Sequence, residues 1–171
     1  GATMGHSKAE NQPASFTKGI FLGTILNDLL HPFPKLNPEE QEVLRMTGEA
    51  LTRLSKEVNV QEIEESKKIP LDVLQKLREL GLFGAIIPEK YGGFGLSNTG
   101  YVQLVSDLTR VEFSITVTVM AHQSIGLKGL LMFGNEEQKM RFLPKLASGE
   151  MIAAFALTEP GAGSDAGSIQ T

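Results

Sequence analysis

The sequence predicts a mainly α-helical domain, because several stretches combine a helix start signal with apolar residues at helical spacing. In the first of them, Asn37 can act as the N-cap, Pro38 occupies the first helical position and Glu40 can close a capping box. Residues on one face then recur every three to four positions, which predicts an amphipathic helix of about five turns. That face carries Val43, Thr47, Ala50, Leu51, Leu54 and Val58.

Two further helices follow the same logic. The second starts near Pro70 and stops at Gly81, which can adopt the left-handed conformation that ends many helices. The third is capped by Ser97 or Asn98, both of which are good N-cap residues. The predicted inward faces are Leu71, Leu74, Leu77 and Leu80 in the second helix, and Tyr101, Leu104, Val105 and Leu108 in the third.

A fourth helix begins at Asn135 and Gln138, another pair with capping-box spacing. Pro144 should end or kink it, since proline lacks the backbone donor that a helix interior needs.

Earlier in the chain, residues 114–119 read Ser-Ile-Thr-Val-Thr-Val. This alternation of polar and β-branched residues favours a strand on periodicity alone.

The last part of the chain predicts a loop that can cradle a ligand. An apolar run from Met151 to Leu157 lies between Gly149 and Pro160, which predicts a buried strand. The sequence TEPGAGSD follows at 158–165, where glycines let backbone N–H groups approach a ligand and hydroxyls can donate or accept. A plain turn with no ligand is the alternative.

Composition excludes several functions. The 16 basic and 20 acidic residues give a net charge of −4 without a basic block, which argues against nucleic acid as a partner. Cysteine is absent, so disulfides and thiol catalysis are excluded. The histidines, His6, His31 and His122, lack metal-ligand spacing, so no metal site is predicted. We expect His122 to be a hydrogen-bonded core residue.

Four motifs in fixed order carry a family resemblance. The stretches IPEKYGGFGLSN, AHQSIGLKG, LPKLASGE and LTEPGAGSD resemble the N-terminal part of acyl-CoA dehydrogenases, and the likeness runs from about Ser15 to Thr171. The segments SFTKGIFLG and HPFP, ahead of the first long helix, resemble the very-long-chain branch.

The resemblance implies the domain organisation. Residues 1–14 would be a tail, 15–37 an N-terminal extension, 38–149 the helical bundle domain, and 150–171 the first strand and flavin loop of a middle β-domain. It also implies that residues 114–119 form a buried helix, against the local alternation. Gly126 and Gly129 would lie on one face of that helix, where a neighbouring helix could approach closely.

The resemblance further implies FAD as cofactor and an acyl-CoA as substrate. The expected flavin contacts are Phe155, Ala156, Leu157, Thr158, Gly163 and Ser164, with the Thr158 hydroxyl near the flavin N5. For Leu157, core packing is an equal alternative. The expected substrate contacts are Ser164, near the CoA thioester, and Thr116, Val117, Met120 and Ala121, near the acyl chain. Met120 could equally be core filler.

The expected activity is α,β-dehydrogenation of a long-chain acyl-CoA in fatty-acid β-oxidation. The family's catalytic glutamate is expected beyond Thr171, so these 171 residues alone should be inactive. The expected partners are an electron-transfer flavoprotein or another acceptor, and further copies of the chain. The expected location is the bacterial cytoplasm or the mitochondrial matrix, with or without peripheral membrane association. A non-catalytic assembly domain derived from the same family is the alternative function.

Overall fold

The structure is a computed structural model that describes residues 15–171. The predicted tail over residues 1–14 lies outside the described residues. Within them the chain divides into two units, residues 15–35 and residues 36–171. None of the described helices combines the length and the apolar content that a bilayer-spanning helix requires.

The first unit contains one short helix. Ser15 accepts a hydrogen bond from the Lys18 N–H at 3.1 Å and so caps helix α1 (Phe16–Phe21). A 3₁₀ turn follows at Asn27–Leu29. Most large apolar side chains of this unit are exposed, namely those of Ile20, Phe21, Leu22, Ile25, Leu29 and Phe33.

The second unit is built from helices, which confirms the predicted mainly α-helical class. Its helices are α2 (Pro38–Leu54), α3 (Val60–Ser66), α4 (Leu71–Glu79), α5 (Asn98–Leu108), α6 (Phe113–Ala121), α7 (Lys128–Phe133) and α8 (Glu136–Ala147). A π-helical turn at His122–Gly126 joins α6 to α7. Short 3₁₀ turns lie at Leu82–Gly84, Glu89–Tyr91 and Ala166–Ser168.

Side-chain hydrogen bonds at the helix starts confirm the predicted capping residues. Asn37 accepts from the Glu40 N–H at 2.8 Å, and Asn135 accepts from the Gln138 N–H at 2.8 Å; both starts are complete capping boxes. Ser97 is the cap of α5. The Glu40 carboxylate also accepts from the Ser97 N–H at 2.6 Å, so one side chain serves the starts of α2 and α5.

Helix α6 forms where local alternation favours a strand. Glu112 caps it by accepting the Ile115 N–H at 2.8 Å. The Thr116 and Thr118 hydroxyls donate to backbone carbonyls four residues earlier, at 2.9 Å each, so these polar side chains are satisfied within the helix. Ile115 and Val119 are fully buried. Tertiary packing therefore overrides the β-branched composition, as the family resemblance implies.

Several features differ from the sequence predictions. Leu71, predicted on the inward face of α4, is 79% exposed. The predicted strand from Met151 to Leu157 is wrong: this segment is irregular, because no neighbouring strand among the described residues supplies the pairing that a strand needs. Pro144 does not end α8, which continues to Ala147; the carbonyl that loses its donor belongs to Met140, an exposed residue that water can reach. Helix α3, capped by Asn59, was not predicted.

Two apolar clusters form the interior of the second unit. The larger one contains residues of α2, α3, α4, α5 and α6, together with Leu82 and Phe83. The smaller one joins Ile87 and Tyr91 to α8 and to Leu127, just ahead of α7. His122 and Gln123 are both buried. Their side chains form hydrogen bonds with the carbonyls of Leu146 and Leu82, which belong to these clusters.

Candidate functional site

The residues predicted to contact a flavin lie together on an exposed loop, residues 155–165, which we call the loop. Phe155 is 56% exposed and Leu157 is 44% exposed, so neither packs into the interior of this chain. Ala156, Thr158 and Ser164 are exposed as well. The core-packing alternative for Leu157 is therefore not what the structure shows. Large apolar side chains kept in solvent next to hydroxyls indicate a surface that a ligand or another part of a protein covers.

The loop also presents unused hydrogen-bonding groups. Within residues 15–171, the backbone N–H groups of residues 154–158 donate to no backbone or side-chain acceptor. The hydroxyls of Thr158 and Ser164 likewise form no hydrogen bond with the described part of the chain. Protein donors that are not used internally are available to a ligand. The loop thus offers apolar surface and donors side by side.

A tight turn gives the loop its shape. Glu159 and Ala162 exchange backbone hydrogen bonds of 3.0 and 3.1 Å, which closes the turn around Pro160 and Gly161. The Glu159 carboxylate accepts from the Thr171 hydroxyl and from the N–H groups of Gln170 and Thr171, both at 3.0 Å. These bonds, the hydroxyl's first, lower the pKa of Glu159, so this carboxylate is a structural anion rather than a base.

Between the turn and the end of the described chain lies an open hollow of about 650 Å³. A volume of this size falls within the range of small-molecule sites in proteins. Its walls are formed by Ala156, Leu157, Thr158, Glu159, Pro160, Gly161, Ser168, Gln170 and Thr171. Three of the six predicted flavin contacts therefore line one hollow, namely Ala156, Leu157 and Thr158.

A set of buried contacts, which we call the junction, fixes the chain just before the loop. His122 Nε2 lies 3.0 Å from the Phe83 carbonyl and 3.1 Å from the Leu146 carbonyl. Its Nδ1 accepts the Ala153 N–H at 3.0 Å. Gln123 accepts from the Ile86 N–H at 2.9 Å and donates to the Leu82 carbonyl at 3.0 Å.

Glycine and arginine complete the junction. The Arg78 Nε–H donates to the Gly149 carbonyl at 3.0 Å. Gly149 has φ +74°, and a Cβ on it would lie 2.7 Å from the Phe83 ring. A Cβ on Gly126 would lie 2.6 Å from the Ala153 Cβ. The close approach predicted at Gly126 is therefore present, but its partner is the segment at Ala153 and not a helix; a Cβ on Gly129 would meet nothing within 4 Å.

Sequence reasoning identified His122 as a core histidine, which is confirmed, but it missed the junction as a unit. The partners of His122 and Gln123 lie between 24 and 41 residues away, so no local pattern reveals them. The sequence did offer one indication of the junction, because His122 and Gln123 are adjacent polar residues within a mainly apolar stretch that contains no helix-breaking residue.

The residues predicted near the acyl chain divide between two sides of α6. Val117 is 45% exposed, Met120 is 37% exposed and Ala121 is half-buried, so these side chains reach the surface. Thr116 is buried and its hydroxyl donates to the Glu112 carbonyl. A second hollow, of about 670 Å³, touches α6 at Ser114 and Thr118 and includes none of the predicted acyl contacts.

The family can now be decided by comparison with known proteins. The N-terminal domain family of acyl-CoA dehydrogenases matches residues 38–150, which is well over half of the chain. This chain belongs to the acyl-CoA dehydrogenase family. It is 43% identical over 171 residues to the human mitochondrial very long-chain specific acyl-CoA dehydrogenase, an alignment that covers 96% of this chain and 25% of that protein. The chain therefore spans about a quarter of the length of this relative.

Solved structures agree with the family. Butyryl-CoA dehydrogenase from Megasphaera elsdenii superposes with a TM-score of 0.65 at 29% identity, over 81% of this chain and 37% of that one. An acyl-CoA dehydrogenase from Bacillus anthracis, complexed with FAD, superposes with a TM-score of 0.58 at 36% identity, over 77% and 22% of the two chains.

The loop of this family member has the chemistry that a flavin requires. An isoalloxazine ring needs apolar surface against its faces and donors at its edge nitrogens and carbonyls. Phe155 and Leu157 offer the first and the unused donors of residues 154–158 offer the second. The residues present therefore fit one side of a flavin site.

Proposed function

We propose that this chain forms the helical domain and one wall of the flavin site of an FAD-dependent acyl-CoA dehydrogenase that acts on a long-chain acyl-CoA in fatty-acid β-oxidation. The observation that carries the proposal is the loop, where exposed apolar side chains stand beside unused backbone and hydroxyl donors. In this proposal residues 15–37 are the extension, 38–149 the helical domain, and 150–171 the start of the middle β-domain.

Each loop residue has a defined task in the proposal. When bound, FAD supplies the hydride acceptor for the β-hydrogen of the substrate. Phe155, Ala156 and Leu157 cover one face of the flavin ring and exclude water from it. The Thr158 hydroxyl and the nearby N–H groups donate to the ring edge, where they stabilise negative charge. Gly163 and Ser164 lie where the cofactor and the thioester arm of the substrate meet.

The acyl chain runs past the exposed side of α6 in this proposal. Val117, Met120 and Ala121 form that side, while Thr116 supports it from below through its bond to the Glu112 carbonyl. The long-chain preference rests on the likeness of residues 15–34 to the very-long-chain branch and on the identity to its human member. Electrons leave through an electron-transfer flavoprotein or another acceptor.

The proton chemistry is assigned to a residue that this chain does not contain. Three of the described carboxylates are engaged in hydrogen bonds or ion pairs: Glu40 binds Ser97, Glu136 binds Tyr91 and Lys90, and Glu159 binds Thr171. Each of these bonds lowers the pKa of its carboxyl, which makes a poorer base. Following the resemblance to the family, the base is assigned to a glutamate beyond Thr171, and these residues alone are expected to show no turnover.

The test is an FAD titration of the chain followed by NMR. We expect weak binding, with a Kd on the order of 0.1–1 mM, since only one wall of the site is present. Amide shifts should move in residues 154–165 and stay unchanged on α2. Thr158→Val should weaken binding by about fivefold to tenfold, the effect of one hydrogen bond.

The matched control is Thr99→Val, because Thr99 is also an exposed threonine without a side-chain hydrogen bond to the described residues. It should leave the FAD affinity unchanged. Shifts spread over the whole surface, or equal affinities for the wild type and Thr158→Val, would contradict the proposed flavin wall and favour a non-catalytic role.

A further inference from the structure

The buried side chain of His122 connects three separate segments of the chain. Its ring bonds to the carbonyl of Phe83, to the carbonyl of Leu146 at the end of α8, and to the N–H of Ala153. The Phe83 ring also packs edge-on against it, with centroids 5.3 Å apart and planes at 89°. The side chain of His122 is fully buried.

These partners fix both the protonation state and the tautomer. Nε2 faces two carbonyl oxygens, which only accept, so Nε2 must carry the hydrogen. Nδ1 faces the Ala153 N–H, which only donates, so Nδ1 must be bare. A proton on Nδ1 would place two donors against each other. The ring is therefore neutral, in agreement with a pKa lowered by burial and only partly restored by the two carbonyls.

Ala153 is the last point at which the helices hold the chain before the loop. Upstream, Arg78 holds Gly149, and the Lys145 carbonyl accepts the Met151 N–H at 3.1 Å. Downstream, the N–H groups of residues 154–158 have no acceptor within the described residues. Phe155, the first predicted flavin contact, comes only two residues after Ala153.

We propose that His122 is a positioning residue, which uses its bare Nδ1 to set where the loop leaves the helices and so where Phe155 to Thr158 meet their ligand. The ligand named here rests on the proposed function. The contact that positions the loop does not, because it is made entirely within the described chain. The loop is therefore positioned by the hydrogen-bond acceptor at the δ position of this side chain, more than by the bulk of the ring.

Two variants separate the two ends of the ring. His122→Asn places an amide oxygen near the position of Nδ1 and can still accept from Ala153, but it has nothing at the ε position. His122→Gln places an amide nitrogen near the position of Nε2 and can still donate to Phe83 or Leu146, but it has no acceptor at the δ position. Both remove the aromatic ring, so loss of packing is common to the pair.

The first measurement is amide hydrogen exchange on the flavin-free chain. The Ala153 amide should be protected in the wild type and in His122→Asn, and should exchange about tenfold faster in His122→Gln, after scaling to the Leu104 amide in the core. Long-range ¹H–¹⁵N spectra of wild-type His122 should show the Nε2–H tautomer at neutral pH. Equal Ala153 exchange in both variants, or an Nδ1–H tautomer, would overturn the proposal.

The second measurement is the FAD titration of the same variants. His122→Gln should weaken FAD binding by about fivefold or more, while His122→Asn should stay within about twofold of the wild type. If no form of the chain binds FAD, the proposed function fails, and the exchange pattern at Ala153 still decides the role of His122. If FAD binds all three forms equally, His122 does not position the loop.

Discussion

The junction and the loop are neighbours in sequence and both are rich in glycine, yet their glycines exist for opposite reasons. In the junction, a Cβ at Gly149 or Gly126 would collide with Phe83 or Ala153. In the loop, a Cβ at Gly161 would meet nothing within 4 Å, and one at Gly163 would make an ordinary contact of 3.9 Å with Thr158. The junction glycines are explained by the chain's own packing. Packing within the described chain does not require the loop glycines, whereas the proposed flavin wall would use them, because a small residue lets a cofactor approach the backbone.

The largest expected effect is Gly149→Ala, which breaks the junction. Alanine at φ +74° is strained, and its Cβ would lie 2.7 Å from Phe83 and 2.8 Å from the Arg78 side chain. Backbone strain and overpacking together should lower the free energy of unfolding by about 2–4 kcal/mol. Urea denaturation of both forms measures this.

The matched control is Gly92→Ala, which has φ +87° but no atom within 4 Å of the added Cβ. It should cost only the backbone strain, about 1–2 kcal/mol. An equal loss in the two variants would mean that the junction is not tightly packed at Gly149.

The next effect tests the polar part of the junction through Gln123→Met. The change leaves the Ile86 N–H and the Leu82 carbonyl without their partner. Unsatisfied groups in a buried site should lower the free energy of unfolding by about 2–3 kcal/mol. Gln75→Met, on the exposed face of α4, is the control and should stay within about 0.5 kcal/mol. Thermal or urea unfolding measures both variants. Equal midpoints for Gln123→Met and Gln75→Met would mean that the hydrogen bonds of Gln123 do not stabilise the fold.

The junction should also be sensitive to acid. Burial lowers the pKa of His122, so below about 6.5, the usual value for histidine, the unfolded chain binds a proton that the folded chain excludes. The free energy of unfolding should therefore fall as the pH drops from 6.5 to 5, by at most about 1.4 kcal/mol per pH unit.

Other groups leave this pH window clear. The charged groups on the elements around His122 include Arg78, which holds Gly149, and the pair of Lys145 with Glu150 at 3.5 Å. Neither contributes to the shift in the pKa of His122. Carboxylates with lowered pKa, such as Glu112, lose their stabilising effect only below about 4.3. A slope that persists in His122→Gln, measured by urea titrations at several pH values, would assign it to another group.

The smallest expected effect on stability is Gly161→Ala in the loop. Its Cβ enters open space and its φ is not positive, so the free energy of unfolding should change by less than about 0.5 kcal/mol. FAD binding should nevertheless weaken by severalfold if the backbone must approach the cofactor there. Both the stability and the FAD affinity are measured on this one variant. A loss of stability without an effect on FAD binding would mean that Gly161, like the junction glycines, is required by the packing of the chain itself.

Local chemistry made the helix starts predictable. Asn37 and Asn135 act within three residues of themselves, so the capping boxes can be seen in the sequence. Helix α3 was missed because its seven residues bury only Ile63 and give little periodicity. For α6 the β-branched residues favour a strand, and only the resemblance to a family gave the right answer. The helix is stabilised by burial of Ile115 and Val119. That burial depends on distant parts of the chain, so a short stretch of sequence does not reveal it.

The flavin contacts named from the sequence stay predictions, whereas the contacts that hold the loop in place could not be predicted from the sequence. The loop motif predicts Phe155 to Thr158, Gly163 and Ser164 as flavin contacts, and these six residues are exposed in the structure. The strand assigned to 151–157 failed because strand formation depends on a partner, which is nonlocal information. The anchoring of Ala153 on His122 spans 31 residues and was equally invisible.

The π-helical turn at His122–Gly126 has a consequence for how this segment can change in length. The Leu127 N–H bonds to the His122 carbonyl five residues earlier, at 2.9 Å, so the turn holds one more residue than an α-helix would. Deleting one residue would restore regular winding, because the turn would then hold the number of residues that an α-helical turn holds. A deletion of one residue at this point would therefore alter the turn that carries His122 and Gln123 more than it would alter the winding of α6 or α7.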